Sequence, residues 1–378
     1  MKIVEIIPEL SSGGAQRFLV DLCNELIKYK DNDIIVVSLQ ELSSSKNNFY
    51  QNSFNPKIKV ISLKGKDTLF SKVTLLFKLY FYILSLKPDI VHSHLTAFNY
   101  IILPSLQLKR TTFYYTVHNI AEEDTKPGIQ TLLKKIFFSK KIIKPITISP
   151  LCTKSFFSYF QFKPFLEIYN GCRDLNEIAI SQEVEKEIIS YKKDDDTKVL
   201  INIARIMPQK NHQLLIDCIN QLGSKGYNFI LLVIGASNND LYSDKIIKQF
   251  DQSPYIHYLG RKSNIENYLY FSDALCLSSQ WEGLPITLLE AGLLGKYAIC
   301  TPVGGIPDVI INKHIGFLSK DISTNKYLAA LEEFLNHPSY DMNFIKNYYN
   351  TNYSMQQCAK QYYKSFEKNI QNKNNKQN

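Results

Sequence analysis

The chain alternates short apolar runs with longer segments in which apolar residues recur every three or four positions. In the first half, the short runs are rich in Ile and Val and end at turn residues, which predicts β-strands. The longer segments predict amphipathic helices. The predicted strands are 2–8, 33–39, 58–63, 89–93, 111–117 and 145–149, and the predicted helices are 15–29, 69–86, 97–108 and 130–142. Regular alternation of this kind indicates strand-helix units around a parallel sheet.

The same pattern restarts in the second half, after a charged stretch at 182–197. The predicted strands there are 198–204, 229–235, 256–260 and 273–278, and the predicted helices are 212–222, 240–250, 264–271 and one beginning at Pro285. We therefore predict an α/β fold of two Rossmann-like, doubly wound domains that face a central cleft. The predicted divisions are a first domain at 1–180, a linker at 181–197, a second domain at 198–350, a final helix at 351–368 and a disordered tail at 369–378.

Composition supports a globular protein, since 45% of the 378 residues are hydrophobic and 21% are charged. The seven cysteines are scattered without a C-x-x-C pair, so we expect reduced, buried thiols in a reducing compartment. The first residues predict a short strand and not a signal peptide. The most apolar stretch, 69–86, contains Lys72 and Lys78, so we expect no membrane-spanning segment and a cytoplasmic protein.

The net charge of +9 lies in one half of the chain. Residues 1–175 contain 23 Lys and Arg against 14 Asp and Glu, whereas residues 176–378 contain 21 of each. No helix-turn-helix, RNP-like or zinc-ligand pattern accompanies the charge, so we expect no nucleic-acid partner. An anionic surface or an anionic acceptor fits the charge better.

Two glutamates lie eight residues apart around a predicted helix start. Glu282 falls in the loop before the helix, Pro285 suits the first helical position, and Glu290 lies a little over one turn inside. Both carboxylates can therefore face one ligand at the helix N-terminus, at the carboxyl end of a strand. An isolated pair of this kind is more often one loop residue and one surface residue, and a glycosidase pair is a further alternative.

Two other stretches suit phosphate. Gly13 and Gly14 follow the first strand and open a helix, which allows a tight turn and presents free N–H groups. Arg205 and Lys210 lie five residues apart across a turn and can converge on one group of phosphate oxygens. Taken alone, the first pair is typical of an ordinary turn and the second of an exposed loop.

The glutamate stretch carries a family resemblance. Glu282-Gly-Leu-Pro, Glu290-Ala-Gly and the following residues 301–308 resemble the donor-sugar motif of retaining glycosyltransferases of the family 4 type, also called glycosyl transferases group 1. That family adopts the GT-B architecture. The resemblance implies that Glu282 binds hydroxyls of the transferred sugar and that Glu290 binds the nucleotide ribose. Gly283 and Leu284 would also contact the donor.

The resemblance extends to both halves. It implies that Gly13 and Gly14 reach toward the donor phosphates, although Gln16 replaces the usual glutamate, and that Arg205 and Lys210 hold the diphosphate. His118 matches a family histidine near the transferred sugar. The residues expected to act in catalysis are His118, Glu282, Arg205 and Lys210, and those expected to line the nucleobase are His257, Tyr258 and Leu259. In this architecture the first domain binds the acceptor and the final helix crosses back to it.

The predicted function is transfer of a sugar, with retention, from a nucleoside-diphosphate sugar to an acceptor hydroxyl. A UDP-sugar donor is favoured, with a lipid-linked saccharide acceptor in the synthesis of capsule, O-antigen or exopolysaccharide. No cofactor or metal is expected, because Asp194-Asp-Asp196 lies in a polar linker and not after an apolar strand. A non-catalytic sugar-nucleotide-binding protein remains the alternative. An oxidoreductase is disfavoured, since no G-x-G-x-x-G follows a strand.

The remaining histidines and the basic segments give further expectations. His92 and His94 alternate at a strand end and could form a metal pair, but no third ligand lies nearby in sequence. His212 is expected to cap its helix. Segment 132–144 is expected to be a helix that buries Leu132, Ile136 and Ile143 and turns its lysines and phenylalanines toward an anionic membrane. Segment 69–86 would add to that surface.

Overall fold

The computed structural model describes residues 1–42, 48–66, 68–125, 127–176, 178–337 and 340–375. The chain forms two compact units. Unit 1 comprises Met1–Arg173 together with Tyr353–Asn378, and unit 2 comprises Asp174–Asn352. The first boundary lies near the predicted position at 180.

Unit 1 is built on a seven-stranded parallel sheet in the order β3-β2-β1-β4-β5-β6-β7. Its strands are β1 (Lys2–Ile7), β2 (Asp33–Gln40), β3 (Lys59–Gly65), β4 (Ile90–His94), β5 (Thr112–Val117), β6 (Ile143–Thr147) and β7 (Leu166–Glu167). Its helices before residue 173 are α1 (Gly14–Leu26), α2 (Leu69–Leu86), α3 (Phe98–Gln107), α4 (Ala121–Asp124), α5 (Ile129–Ser139) and α6 (Pro150–Phe160). Helices cover both faces of such a sheet, which explains why its strands are almost continuously apolar.

One apolar core of unit 1 lies between this sheet and its helices. Its buried members include Val4 and Val37 from the strands and Leu79, Phe98 and Phe156 from the helices. The seven cysteines of the chain are free and buried, as their spacing predicted. They therefore act as small apolar side chains.

Helix α5 buries a different face from the one expected. Phe137 and Phe138 are buried, while Leu132 is 58% exposed and Ile143 belongs to β6. Lys134 is buried and forms an ion pair with Asp124 at 2.7 Å. The predicted helix bounds and buried face of 132–144 are thus wrong, because the helix ends at Ser139 and a buried carboxylate pairs with one of its lysines.

Helix α2 of unit 1 has an extended exposed apolar face. Leu75, Leu79 and Ile83 pack into the core, and Thr68 caps the helix start by accepting from Ser71 N. The opposite face leaves the following large residues exposed: Leu69, Phe70, Val73, Phe77 and Phe81. Within the described part of the chain, α2 is the helix long and apolar enough to cross a membrane by length and composition alone. Its packed inner face indicates a helix that lies on the surface of unit 1.

Unit 2 is built on a six-stranded parallel sheet in the order β10-β9-β8-β11-β12-β13. Its strands are β8 (Lys198–Ile203), β9 (Phe229–Ile234), β10 (Ile256–Tyr258), β11 (Ala274–Leu277), β12 (Tyr297–Cys300) and β13 (Phe317–Leu318). The helices are α7 (Gln182–Tyr191), α8 (His212–Ser224), α9 (Leu241–Gln252), α10 (Ile265–Tyr270), α11 (Ile286–Leu293), α12 (Ile306–Val309), α13 (Thr324–Asn336) and α14 (Met342–Tyr353). Both units are therefore α/β, as predicted.

The segment expected as a linker at 181–197 contains α7, which packs within unit 2. Glu187 of this helix pairs with Lys262 at 3.1 Å and accepts a hydrogen bond from the Tyr268 hydroxyl at 2.5 Å. Val184 and Ile188 are buried. The charged composition that suggested a linker therefore reflects a helix with one buried face and several exposed charges.

The last helix, α15 (Met355–Asn375), packs within unit 1 and extends beyond its predicted end. Asn369 donates to the Tyr114 hydroxyl at 2.8 Å, and Lys373 donates to the Thr111 carbonyl at 2.6 Å. These contacts explain why the chain is helical up to Asn375, where disorder was expected. Residues 376–378 of the predicted tail lie outside the described residues.

Candidate functional site

Two loops of unit 2 are joined at the carboxyl ends of neighbouring strands. The loop after β11 begins at Ser278, whose hydroxyl donates to the Lys210 carbonyl at 2.9 Å in the loop after β8. The Gln209 side chain donates to the Trp281 carbonyl at 2.8 Å, and Gln280 N donates to the Gln209 carbonyl at 2.8 Å. These hydrogen bonds fix residues 209–210 against residues 278–281.

A third loop, after β12, holds the second one from the other side. Thr301 donates its hydroxyl hydrogen to the Ser279 carbonyl at 2.7 Å, and Gly305 N donates to the Gly283 carbonyl at 2.5 Å. Gly304 has φ +58°, and a Cβ atom there would lie 2.0 Å from the Glu282 carbonyl oxygen. Position 304 therefore requires glycine both for its backbone conformation and for this close approach.

The three loops position the Glu282 carboxylate, which is only 5% exposed. Its Oε1 atom accepts from Lys210 Nζ at 2.5 Å and from the Ser279 hydroxyl at 2.6 Å. The ammonium group compensates the buried negative charge, as burial of a carboxylate requires. Lys210 and Glu282, predicted as separate donor ligands, are thus direct partners.

Helix α11 begins directly after this loop. Pro285 is its N-cap and not its first helical residue, and Leu284 beside it is 4% exposed. Glu290 is the fifth residue of the helix and is 2% exposed. The structure therefore places Glu282 before the helix and Glu290 within it, as the sequence predicted.

Arg205 and Lys210, predicted to converge on phosphate oxygens, have different surroundings in the structure. Arg205 is exposed, and its guanidinium makes no ion pair with any described residue, whereas Lys210 is paired with Glu282. Between them, Ile206 is fully buried and forms a bridge with Ser237. This buried residue anchors the middle of the loop.

The three residues expected to line a nucleobase lie at the edge of the unit 2 sheet. The His257 ring stacks on Tyr191, with ring centroids 4.3 Å apart, and burial lowers the pKa of His257. The Tyr258 hydroxyl donates to the Gly235 carbonyl at 2.9 Å, and Leu259 N donates to the Val233 carbonyl at 2.9 Å. Two of the three side chains are therefore already engaged within unit 2.

In unit 1, the Gly13-Gly14 pair opens α1 without a left-handed residue. Gly13 has an extended backbone with φ 179°, and Gly14 is the first helical residue. Gln16 is buried, and its amide donates to the Ser11 hydroxyl at 3.3 Å. Its Oε1 atom lies 2.5 Å from the position of a Cβ on Gly13, so the glycine makes room for this side chain.

His212 is another departure from the sequence prediction. It is the first residue of α8, but the N-cap is Asn211, which has a left-handed backbone and makes no side-chain cap. The His212 ring is fully buried against Phe250, and both ring nitrogens lack a hydrogen-bond partner among the described residues. Burial, with a smaller effect from Lys210, lowers its pKa to about 3.

A buried cluster beside His118 was missed at the sequence level. The Glu5 carboxylate of β1 lies 3.0 Å from His94 Nε2, and His94 Nδ1 lies 2.8 Å from His118 Nε2. His92 Nδ1 lies 3.0 Å from the same carboxylate, and its Nε2 lies 2.7 Å from the Thr116 hydroxyl. We call these five residues the Glu5 network.

Burial sets the protonation of this network, together with its internal charges. Burial raises the pKa of Glu5, but the charge of His92 and hydrogen bonds from His92 and His94 outweigh it, and the pKa falls to about 2. Burial and His92 lower the pKa of His94 to about 4, despite the opposite effect of Glu5. Burial, His94 and His92 also lower the pKa of His118 well below its usual range.

Two sequence signals point to this network. Glu5 is a charged residue within the apolar run 3–7, and His92 and His94 alternate on the adjacent strand. The parallel register of β1 and β4 pairs Glu5 with His92. The motifs taken separately do not predict this pairing. Ligand atoms of Glu5, His92 and His94 lie within 4.8 Å of one another, a spacing that a metal ion would tolerate. Hydrogen bonds already join these atoms, so we interpret the group as a hydrogen-bond network.

Comparison with known proteins identifies the family. Residues 12–202 match the family described as Glycosyltransferase Family 4, which covers more than half of the chain. The chain belongs to this family. Residues 183–351 also match the family Glycosyl transferases group 1, so the two matches together extend over both units.

Two curated relatives illustrate the range of family 4 glycosyltransferases to which this chain is similar. One is a GalNAc-α-(1→4)-GalNAc-α-(1→3)-diNAcBac-PP-undecaprenol α-1,4-N-acetyl-D-galactosaminyltransferase from Campylobacter jejuni, 27% identical over 97% of this chain and 95% of that protein. The other is a UDP-Gal:α-D-GlcNAc-diphosphoundecaprenol α-1,3-galactosyltransferase from Escherichia coli, 27% identical over 65% of this chain and 64% of that protein.

Solved structures establish the fold of this family 4 member as GT-B. Alr3699/HepE from Anabaena in complex with UDP has a TM-score of 0.79 at 16% identity, and the match covers 97% of this chain and 100% of that one. A glycosyltransferase from Rickettsia africae has a TM-score of 0.78 at 16% identity and covers 98% and 99%. The predicted family and architecture are confirmed.

Proposed function

We propose that this glycosyltransferase moves a hexose from a nucleoside-diphosphate sugar, most favourably a UDP-sugar, to an acceptor hydroxyl with retention. The observation that carries the proposal is the buried Glu282 carboxylate, held by Lys210 and Ser279 where three loops of unit 2 meet. A fixed carboxylate of this kind is a strong acceptor for sugar hydroxyls. Its neighbouring ammonium suits a diphosphate.

Each donor contact has a place in this proposal. Glu282 accepts hydrogen bonds from hydroxyls of the sugar. Lys210, whose Nζ lies 2.5 Å from Glu282 Oε1, contacts the diphosphate beside the sugar. Arg205 has a guanidinium without an ion pair to any described residue, so it can meet the phosphate oxygens without breaking an existing contact. Glu290 holds the ribose. Gly283 and Leu284 contact the same ligand through their backbone. Leu259, with His257 and Tyr258, lines the nucleobase.

The proposed chemistry is a front-face displacement. The acceptor oxygen forms a bond to the anomeric carbon on the side from which the diphosphate leaves, and the departing diphosphate takes the acceptor proton. Lys210 and Arg205 stabilise the charge that develops on the leaving group, which removes the need for a metal ion. The engagement of Glu282 by Lys210 and Ser279 favours hydroxyl binding over nucleophilic attack by this carboxylate. Gly13 and Gly14 approach the donor phosphates and His118 contacts the sugar.

We further propose that the acceptor is a lipid-linked saccharide used for capsule, O-antigen or exopolysaccharide. Both relatives described above are named for undecaprenol-linked acceptors, which supports this class. The proposed location is the cytoplasmic side of the cell membrane.

A transfer assay tests the proposed function. The protein is incubated with a panel of UDP-, GDP- and ADP-sugars and undecaprenyl-diphosphate-linked saccharides, and products are separated and their anomeric configuration is determined by NMR. We expect α-linked product from an α-linked donor, formed in the presence of EDTA, and formed much more slowly by Glu282→Gln. An inverted product contradicts retention. UDP binding with neither transfer nor slow hydrolysis of the donor would favour the non-catalytic alternative.

We propose that α2 of unit 1 docks on the anionic membrane that carries the acceptor. Phe70, Val73, Phe77 and Phe81 are spaced along one helical face and are between 51% and 83% exposed. Lys72 and Lys78 flank this stripe and are also exposed, and α2 contains no acidic residue. Apolar side chains that enter the headgroup boundary, beside lysines that meet anionic lipid, fit this surface better than open water does.

Vesicle co-sedimentation tests this docking. Binding should increase with the fraction of anionic lipid, fall with salt, and be lost in the triple variant Phe70→Ser, Phe77→Ser, Phe81→Ser. The matched control is Leu241→Ser, Ile311→Ser, Ile322→Ser in unit 2, where three similarly exposed apolar residues are removed. Equal loss in both variants, or no binding by the native protein at low salt, contradicts the proposal.

The lysines in and just after α5 cannot all be neutralised together. Lys135, Lys140 and Lys141 are exposed and can be neutralised together, whereas Lys134 is buried in its pair with Asp124. Removing Lys134 would leave a buried carboxylate unpaired and destabilise unit 1. If the three exposed lysines add to docking, their replacement by glutamine weakens binding without changing the unfolding midpoint.

A further inference from the structure

The Glu5 network connects His118 to buried side chains inside unit 1. Glu5, His92 and His94 are fully buried, and His118 is half-buried at the end of β5. The contacts run in one line, from the Glu5 carboxylate to His94 Nε2, and from His94 Nδ1 to His118 Nε2. Neither Glu5 nor His94 belongs to the donor contacts of the proposed function.

The direction of the hydrogen bonds follows from the inventory of donors. An ionised carboxylate only accepts, so His94 must carry its proton on Nε2. The low pKa values of Glu5 and His94 support an ionised acid and a neutral ring. A neutral ring protonated on Nε2 has a lone pair on Nδ1, and the contact there at 2.8 Å requires His118 to donate from its Nε2.

One atom of His118 is then left for a ligand. Its Nδ1 carries the lone pair and makes no hydrogen bond with any described residue, whereas its Nε2 is occupied by His94. We propose that Glu5 and His94 are positioning residues that hold His118 in the tautomer protonated on Nε2, so that Nδ1 accepts a hydrogen bond from a sugar hydroxyl. The ligand contact, though not the tautomer, rests on the proposed function.

This assignment has a specific chemical consequence. A His118 ring fixed in this way accepts from hydroxyl donors but cannot donate to phosphate oxygens, so it recognises the sugar and not the diphosphate. The alternative tautomer would place a donor at Nδ1 and reverse that preference. Glu5 thus acts on the ligand through two rings.

The tautomer is measured directly with the full-length protein carrying ¹⁵N-labelled histidine. Long-range ¹H–¹⁵N correlation separates protonated from unprotonated ring nitrogens, and the His118 signals are assigned from their loss in His118→Gln. We expect an unprotonated Nδ1 and a protonated Nε2 in the native protein. A protonated Nδ1 on His118 overturns the proposal, and this measurement needs no other variant to fold.

Two variants test the origin of the tautomer. In Glu5→Gln, the amide can donate as well as accept, so we expect His118 to populate both tautomers. The matched control is His92→Asn. His92 is another partner of Glu5, but it is not one of the residues that link Glu5 through His94 to His118. This variant should leave the His118 tautomer unchanged. An unchanged tautomer in Glu5→Gln, or an equal change in both variants, overturns the role of Glu5.

Kinetics separate positioning from mere structural support. With UDP affinity unchanged, Glu5→Gln should lower the transfer rate about tenfold, the effect of roughly one lost hydrogen bond to the substrate. The double variant Glu5→Gln, His118→Ala should be no slower than His118→Ala, because Glu5 acts through His118. Additive losses contradict the proposal. Failure of all transfer would refute the proposed function and leave the tautomer result intact.

A metal-bound network is a separate outcome. Metal analysis of the purified protein could return one ion per chain, and none in His92→Asn. The three buried side chains would then hold an ion and would not form the hydrogen-bond chain. That result would overturn the proposal. Absence of stoichiometric metal, together with the expected His118 tautomer, supports it.

Discussion

At the scale of single residues, Lys210 forms an ion pair with the buried Glu282 and is also proposed to contact the diphosphate. Arg205 is exposed and is proposed to contact only the diphosphate. The two residues were predicted from sequence as an equivalent pair, because spacing alone cannot reveal that Ile206 is buried between them. Their substitutions should therefore differ.

We expect Arg205→Ala and Lys210→Ala each to lower kcat/KM by roughly 30- to 1000-fold, or about 2–4 kcal/mol, through lost stabilisation of the departing diphosphate. Only Lys210→Ala should also lower the unfolding midpoint, because it leaves the Glu282 carboxylate without its cation. In the double variant Lys210→Ala, Glu282→Gln, the two losses should not add. Native rates in both single variants would show that neither residue meets the phosphates.

The two glutamates should divide their effects between turnover and affinity. Glu282→Gln keeps the shape but weakens acceptance from sugar hydroxyls, so transfer should fall by roughly 10- to 150-fold with UDP affinity retained. Glu290→Gln should chiefly weaken UDP binding. Isothermal titration with UDP and steady-state kinetics on both variants distinguish the roles, and an equal loss of UDP affinity would refute the division.

At the scale of elements, the close approach of two loops depends on Gly304. Gly304→Ala should reduce both stability and transfer, since its Cβ would lie 2.0 Å from the Glu282 carbonyl oxygen and displace that loop. Gly226 is the matched control, because it has φ +83° but no atom within 4 Å of a Cβ. We expect Gly226→Ala to cost about 1 kcal/mol of stability from the left-handed backbone and to leave transfer unchanged.

Thermal unfolding and transfer rates measured in parallel check this expectation. If Gly304→Ala behaves like Gly226→Ala in both measurements, the loop after β12 does not hold Glu282 in place.

The elements themselves were largely predictable, and the reasons for the exceptions are physical. Apolar runs bounded by turns located the longer strands of both sheets, while the two-residue strands β7 and β13 are too short to carry a pattern. Helix α5 was assigned the wrong buried face because Lys134 is neutralised by Asp124. An amphipathic pattern cannot anticipate that a lysine will be buried with a distant carboxylate.

The site shows the same limit. The glutamates and the loop glycines follow local patterns and could be singled out from the sequence, whereas the Glu5 network depends on strand order. Glu5 and His92 are 87 residues apart and meet only because β1 and β4 are neighbours in parallel register. No sequence pattern in this chain states that pairing.

At the scale of the whole molecule, buried neutral histidines make stability depend on pH. The folded pKa of His212 is about 3, against an ordinary value of 6.5, so below pH 6.5 the unfolded chain binds a proton that the folded protein does not. The contribution of neutral His212 to the free energy of unfolding is therefore fully present above pH 6.5 and falls by about 1.4 kcal/mol per pH unit below it. His94, with a pKa of about 4, adds the same effect in unit 1.

We predict that unit 2 loses about 2 kcal/mol more stability between pH 7 and pH 5 than it does in His212→Leu. Trp281 is the single tryptophan of the chain and lies in unit 2, so its fluorescence in urea titrations reports this unit. Other titrating groups are common to both proteins and cancel. Parallel pH dependence in the two proteins would show that His212 is protonated in the folded state.

Unit 1 is assembled from both ends of the chain, and this has a consequence during synthesis. The face of β5 that carries Tyr114 and Thr116 is completed by α15, which is synthesised after unit 2. At about 5–20 residues per second, roughly 10–40 s pass between the emergence of Arg173 and that of the final helix. Unit 2 is continuous and can fold in that interval, while this face of the first sheet is still without its covering helix. We therefore expect this face to be the part of the newborn chain that needs protection by chaperones.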